Sequence, residues 1–181
     1  MSEERGCVGT AALCSRRKAK TFPSTVSRAP RGVPLYYEVS VRTTAESPTA
    51  VVAQATTWEE FPGLWRTLLD EVYGFLRSGG ATQQGHNVML FRDDVPNVEV
   101  GVQVAGTFDP SGRVVPSALP AGRVATTIHR GPYDELDAAH SAIRAWCAAR
   151  GHELTGTRWE IYGDWKDNPA ELETEIDYLL R

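Results

Sequence analysis

Cysteine is scarce in this chain: Cys7, Cys14 and Cys147 are the only three in 181 residues. An odd number without a C-x-x-C pair excludes a disulfide framework, and Cys147, beside Trp146 on an expected helix, reads as a small buried hydrophobe. Histidine is thin as well. His86, His129, His140 and His152 stand apart, with neither H-E-x-x-H nor the paired spacing of a zinc site, so no metal is expected. There is no glycine-rich phosphate loop, which argues against a nucleotide, and no cofactor is expected. No apolar run approaches the ~20 residues of a membrane-spanning helix. The weakly apolar residues 6–15 follow Glu3 and Glu4 and precede Arg16, Arg17 and Lys18, the wrong order of charge for a secretory signal. These absences together predict a cytoplasmic protein with no membrane partner.

An excess of positive charge is also missing where it would matter. Residues 1–33 carry seven Lys/Arg against two Glu, whereas the remainder carries twelve basic against twenty-one acidic residues. An acidic body repels nucleic acid, and the tail offers only nonspecific, salt-sensitive attraction, so no specific nucleic-acid partner is expected. Residues 1–32, with Pro23 and Pro30 and no sustained apolar period, are expected to form a disordered basic tail, too short and proline-broken for a helix-turn-helix. The folded domain is expected over residues 33–181.

From Leu35 the texture changes. Leu35, Tyr37, Val39 and Val41 alternate with polar residues, the period of a half-buried strand. Residues 50–55 read as a second strand. Phe61, Leu64, Leu68, Val72 and Phe75 then recur at helical spacing, with Pro62 in the first turn, where it is tolerated. Gly79 and Gly80 stop that helix, and residues 87–91 and 98–104 give two further strands. A second pass follows: a strand at 123–128, a helix opened by Gly131-Pro132 with the stripe Leu136, Ala139, Ile143, Trp146 and Cys147, then strands at 159–162 and 173–179. Trp58-Glu59-Glu60-Phe61 and Tyr133-Asp134-Glu135-Leu136 are both aromatic-acid-acid-apolar at matching helix starts. The expected fold class is therefore α+β, with two sheet-plus-helix modules, β-β-α-β-β twice, around a central ligand groove.

The second half carries a recognisable set. His129-Arg130-Gly131-Pro132-Tyr133-Asp134-Glu135-Leu136, Trp159-Glu160-Ile161-Tyr162, Asp167-Asn168-Pro169 and Glu171-Leu172-Glu173-Thr174-Glu175-Ile176 occur in an order and spacing that resemble the GyrI-like family, which includes the effector-binding domains of AraC-type and MerR-type regulators. The resemblance implies a groove that takes bulky, often aromatic or cationic molecules over a buried glutamate, and Glu160 matches that glutamate. Burial penalises a carboxylate, and a cationic or hydrogen-bond-donating ligand offsets that penalty. Outside the motif, a strand glutamate is ordinarily solvent-facing.

Alternation puts Glu160 and Tyr162 on one strand face and Trp159 and Ile161 on the other, so Tyr162 ranks above Trp159 as a companion of Glu160. The expected catalytic set is Glu160, Tyr162 and Tyr133. Trp159, Trp65, Tyr37, Trp165 and His129 are expected ligand contacts, from a larger group of aromatics that includes Tyr36 and Trp58 and cannot all line one groove. Trp65 also suits a core position. His129, at a strand end before a helix, either reaches the cleft or is a hydrogen-bonded structural residue. His140 and Cys147 lie seven residues apart on one helix, with no third group indicated to orient a nucleophile.

For a stand-alone member, the resemblance implies detoxification by hydrolysis, in which water opens the cyclopropane ring of a DNA-alkylating compound and so confers antibiotic resistance. Glu160 would position or deprotonate the water, and a tyrosine would serve the carbonyl that gains electron density. The alternative is a non-catalytic drug-sequestering or effector-binding protein. A further alternative is an inhibitor protein that contacts DNA gyrase, as the member that names the family does, although no residue of this sequence speaks for that contact.

Overall fold

Alternating apolar residues build eight strands, and two amphipathic runs build the helices that cover them. The computed structural model describes residues 36–181; the expected tail and the start of the expected leading strand lie outside the described residues. The elements are β1 (Ser40–Thr44), β2 (Ser47–Ala55), α1 (Phe61–Arg77), β3 (Gln83–Phe91), β4 (Asn97–Val104), β5 (Val114–Leu119), β6 (Gly122–Arg130), α2 (Leu136–Arg150), β7 (Leu154–Tyr162) and β8 (Glu173–Leu180). The architecture is α+β, a β-β-α-β-β unit repeated. The strand pattern alone had not located β5, the leading strand of the second unit. Pro116 interrupts its alternation, and proline is tolerated there because β5 is an edge strand, paired only with β2.

The eight strands form one antiparallel sheet in the order β1-β6-β8-β7-β3-β4-β2-β5. This order reads the same from either end when the two units are exchanged, and each unit lends its first strand to the other: β1 pairs with β6, and β5 with β2. The units meet where β3 pairs with β7, Met89 opposite Glu160. Both strands are nine residues long, and in both the third residue is a glycine with positive φ, Gly85 at 121° and Gly156 at 96°. At each the ladder shifts register, between Gln83 and Asn87 and between Leu154 and Arg158. A shared bulge at the same place is strong structural support for a duplicated unit.

Each helix covers its own half. α1 buries Phe61, Leu68 and Val72 against β2, β3 and β4, each such side chain contributing about 1.5–3 kcal/mol of transfer free energy. α2 buries Leu136, Ala139, Ile143 and Cys147 against Ala125, Ile176 and Tyr178. It ends at Gly151 in the left-handed region, where the His152 N–H reaches back to the Cys147 carbonyl at 3.0 Å. On the far face Val88, Leu90 and Trp159 of the central strands share a cluster with Leu119 and Val124 from opposite ends of the sheet. The sheet therefore curls away from the helices, and the central strands carry buried residues on both faces. The leading strand starts later than the sequence suggests. Tyr37 and Glu38 precede it and are held by side-chain bonds instead, Tyr37 to His129 and the Glu38 carbonyl accepting from the Thr127 hydroxyl at 2.9 Å.

Candidate functional site

A cavity of about 460 Å³ opens between the two helices over the β3–β7 seam. Phe61, Pro62, Trp65 and Leu69 of α1 form one wall, with Trp58 just before that helix. Asn87, Met89 and Phe91 of β3 and Glu160 and Tyr162 of β7 form the floor. Tyr133, Leu136, Asp137 and His140 supply the opposite wall, and Trp165, on the loop after β7, stands at the mouth with 71% of its surface exposed.

Glu160 is the buried charge of this floor, 6% exposed. Its Oε1 accepts from His140 Nε2 at 2.8 Å, and its Oε2 accepts the Tyr162 hydroxyl proton. The direction of the chain behind it follows from donor counting. Arg144 has only protons to give, and its Nη1 donates to the Tyr178 hydroxyl oxygen at 3.1 Å. Glu160, an acceptor only, takes the proton on Nε2, and in the neutral imidazole Nδ1 is then an acceptor that receives the single Tyr178 proton from 2.9 Å away. Arg144, Tyr178 and His140 thus form a one-way relay of donors ending on the carboxylate, which Tyr162 serves from the other side.

Burial, reinforced by the charge and hydrogen bond of Glu160 and by Tyr133, pushes the Tyr162 hydroxyl far above the ordinary phenol range. Tyr162 stays protonated, and its one proton is committed to Glu160. Burial also raises Tyr133 and Tyr178, the latter against the opposing pull of Arg158 and Arg144. The Tyr133 ring meets Tyr162 edge-on at 5.3 Å, and its hydroxyl has no hydrogen-bond partner among the described residues. The site can therefore present a carboxylate, an aromatic surface and one uncommitted phenolic donor to a ligand.

A family model described as the GyrI-like small molecule binding domain matches residues 37–177. The chain belongs to the GyrI-like family. Among solved structures, the GyrI-like chain is similar to the EcmrR C-terminal domain, with 22% identity, a TM-score of 0.68, and coverage of 80% of this chain and 98% of that one. It is also similar to SAV2435 bound to tetraphenylphosphonium, with 11% identity, a TM-score of 0.57, and coverage of 80% and 94%. A third is a hydrolase encoded by lin2189 from Listeria innocua, with 13% identity, a TM-score of 0.53, and coverage of 80% and 92%. At these identities the likeness concerns the fold. No curated protein matches the chain.

In this GyrI-like domain Glu160, Tyr162, Tyr133, Trp65 and Trp165 come together around one cavity. Trp159, Tyr37 and His129 do not. Trp159, expected as a ligand contact, is 1% exposed on the far face with Val88 and Leu90, because strand alternation turns it away from its neighbour Glu160. His129 is fully buried, with Nε2 donating to the Pro132 carbonyl at 3.0 Å and Nδ1 accepting from the Tyr37 hydroxyl at 2.9 Å. This pair pins the chain ahead of β1 to the entry of α2. Two residues that the sequence reading left out support the floor of the site from behind: Tyr178 and Arg144. His140 had been set beside Cys147, whereas its partners are Glu160 and Tyr178. One signal was available, since His140 falls on the same helical face as Leu136, Ala139 and Ile143, and a polar residue on a buried stripe needs partners.

Among the described residues no helix is long and apolar enough to cross a membrane.

Proposed function

We propose that the protein binds a bulky aromatic cation in the cavity between α1 and α2. The observation that carries this reading is Glu160: one buried carboxylate, fixed on both oxygens, under walls built from Trp58, Trp65 and Tyr133. Aromatic faces and a desolvated negative charge both favour a diffuse cation over a sugar or a phosphate. SAV2435, of similar fold, is bound to tetraphenylphosphonium, a ligand of this chemistry. Tryptophan fluorescence quenching by tetraphenylphosphonium, with neutral triphenylphosphine oxide as control, tests the proposal. Glu160→Gln keeps the shape and removes the charge, so affinity for the cation should fall by about 1–3 kcal/mol, roughly fivefold to 150-fold, and affinity for the neutral compound should hardly change. Equal binding of cation and neutral control would overturn the reading.

Hydrolysis of a cyclopropane-bearing alkylator is the second reading, favoured by the free Tyr133 hydroxyl beside the Glu160–His140 pair. Water would lose its proton to Glu160 and form a C–O bond to a ring methylene. The breaking C–C bond would send its electron pair to the conjugated carbonyl, stabilised by the Tyr133 hydroxyl rather than by Tyr162, whose proton is already committed. A water adduct seen by mass spectrometry in the native protein, and slowed by about a hundredfold in Glu160→Gln, would support turnover. Its absence would leave a binding protein.

A further inference from the structure

A second recess of about 310 Å³ adjoins the main cavity and shares Glu160 with it. Arg158 dominates this recess. It lies two residues before Glu160 in β7 and projects from the same face, with Cα atoms about 7 Å apart. It is only 9% exposed, its guanidinium carbon lying 5.0 Å from the ring centre of Phe91, 5.3 Å from Trp58 and 5.9 Å from Tyr178. Aromatic rings thus crowd the cation, leaving its N–H edge to find acceptors. Of five N–H donors, one is engaged within the described residues: Nη1 donates to Asp94 Oδ1 at 3.1 Å, and the Asp94 side chain is 90% exposed on the turn between β3 and β4. No Arg158 nitrogen is sealed from solvent as a buried orphan, so the spare donors remain accessible. A buried guanidinium normally has a buried, well-bonded counter-charge, and a pair with so exposed a carboxylate contributes little. The arrangement is that of a carboxylate receptor with its principal acceptor missing.

We infer that Arg158 is a second recognition point and that the ligand is a zwitterion: a cationic aromatic body over Glu160 and a carboxylate on Arg158. This rests on the cation-binding reading and narrows its ligand class. A recess holding only a structural arginine, stacked to join the two units, would instead show no preference for a ligand carboxylate.

The test compares two xanthene dyes by fluorescence polarisation: a rhodamine with a free carboxyphenyl group, which is zwitterionic, and the methyl ester of the same dye, which is a plain cation. The native protein should bind the zwitterion about tenfold more tightly, the scale of one charge-assisted hydrogen bond. Arg158→Met should erase that preference and leave ester affinity within about threefold of native. Arg158→Lys, which keeps charge but loses the planar fork, should retain only part of it, and Asp94→Ala should raise zwitterion affinity by freeing the guanidinium. Equal binding of both dyes by the native protein, tighter binding of the ester, or an undiminished preference in Arg158→Lys or Arg158→Met would overturn the inference while leaving the cation-binding reading intact. Failure of both dyes to bind would overturn the two together.

Discussion

The two halves of the molecule share a backbone plan and differ at every position that faces the cavity. The fifth residue of α1 is Trp65, and that of α2 is His140; the ninth is Leu69 in one and Arg144 in the other. The seventh residue of β3 is Met89 and of β7 Glu160, the ninth Phe91 against Tyr162. The sixth residue of β4 is Val102, where β8 has Tyr178. Each member of the donor chain that ends on Glu160 therefore has an apolar counterpart across the seam. Duplication supplied a cleft with two similar walls, and divergence made one wall apolar and the other a hydrogen-bonded charge support. Because Met89 pairs directly with Glu160, a symmetric pair of carboxylates would be adjacent and mutually repelling. A single charge avoids that conflict and makes the cavity directional.

The strongest test of the comparison lies on the face of the sheet away from the cavity, at the fifth residues of β4 and β8, Gly101 and Asp177, which pair with Val88 and Trp159. A Cβ on Gly101 would stand 1.9 Å from the Ala50 carbonyl oxygen and 2.8 Å from the Val51 Cα, both backbone atoms that cannot step aside. Gly101→Ala should cost at least about 5 kcal/mol or prevent folding. Asp177→Gly removes the carboxylate bonded to Arg42 at 2.9 Å and should cost about 1–3 kcal/mol. Denaturant midpoints measure both, and equal losses would mean that the halves are less distinct than their cavity faces suggest.

Met89→Glu would restore the forbidden symmetry. Two buried carboxylates at paired positions should cost about 3–5 kcal/mol near neutral pH. The folded variant would hold a proton that the unfolded chain releases near pH ~4. Its deficit relative to the native protein should therefore be small in acid and grow as pH rises through that range. Thermal unfolding followed from acid to neutral pH measures the effect, and a deficit independent of pH would point to shape rather than charge.

A smaller effect, in alkali, separates the halves by their phenols. Tyr162 is raised chiefly by burial and further by Glu160, whereas its counterpart Phe91 has no proton to lose. The unfolded chain releases the phenolic proton near pH ~10, and the folded state keeps it. Stability from this source is complete below that pH and is lost as pH climbs toward the folded value. Phenolate absorbance from Tyr162 should therefore appear only with unfolding. Its appearance in the folded protein, judged against Tyr162→Phe, would show that the hydroxyl is less sealed than its contacts imply.

Much of this asymmetry was legible in the sequence where it depended on local period. Alternation assigned Glu160 and Tyr162 to one face, and helical spacing found both helices. Pro116 concealed β5, because a proline in an alternating run marks either an edge strand or no strand. Trp159 misled for a different reason. The sheet curls, so both faces of β7 are buried and residue polarity does not distinguish cavity from core. Arg144, Tyr178 and His140 were invisible as a chain because their meeting depends on how α2 packs across β8 and on the pairing of β7 with β8. No spacing along the sequence encodes that pairing. Arg158 reads as an ordinary strand residue until Trp58 and Phe91 arrive from the other unit.

The smallest effect predicted concerns that donor chain. Tyr178→Phe preserves the ring that packs with Ala125 and Ile176 and removes only the hydroxyl between Arg144 and His140. Its counterpart, Val102, needs no such bond. The loss in stability should be about 1 kcal/mol, the net contribution of one hydrogen bond, since Arg144 keeps its bond to the Ser141 hydroxyl at 2.9 Å. The informative readout is the imidazole. In the native protein, Tyr178 donates to Nδ1, so neutral His140 should carry its proton on Nε2. Nitrogen chemical shifts of labelled histidine should show that tautomer alone. In Tyr178→Phe the Glu160 carboxylate, which only accepts, still holds the proton on Nε2, but Nδ1 loses its donor and its chemical shift should move toward that of an imidazole nitrogen without a hydrogen bond. Cation affinity at neutral pH should change by less than about threefold, because the carboxylate itself remains. A native protein with the proton on Nδ1, or a variant whose His140 shifts match the native ones, would show that Tyr178 does not orient the histidine and that the polar wall works through Glu160 and Tyr162 alone.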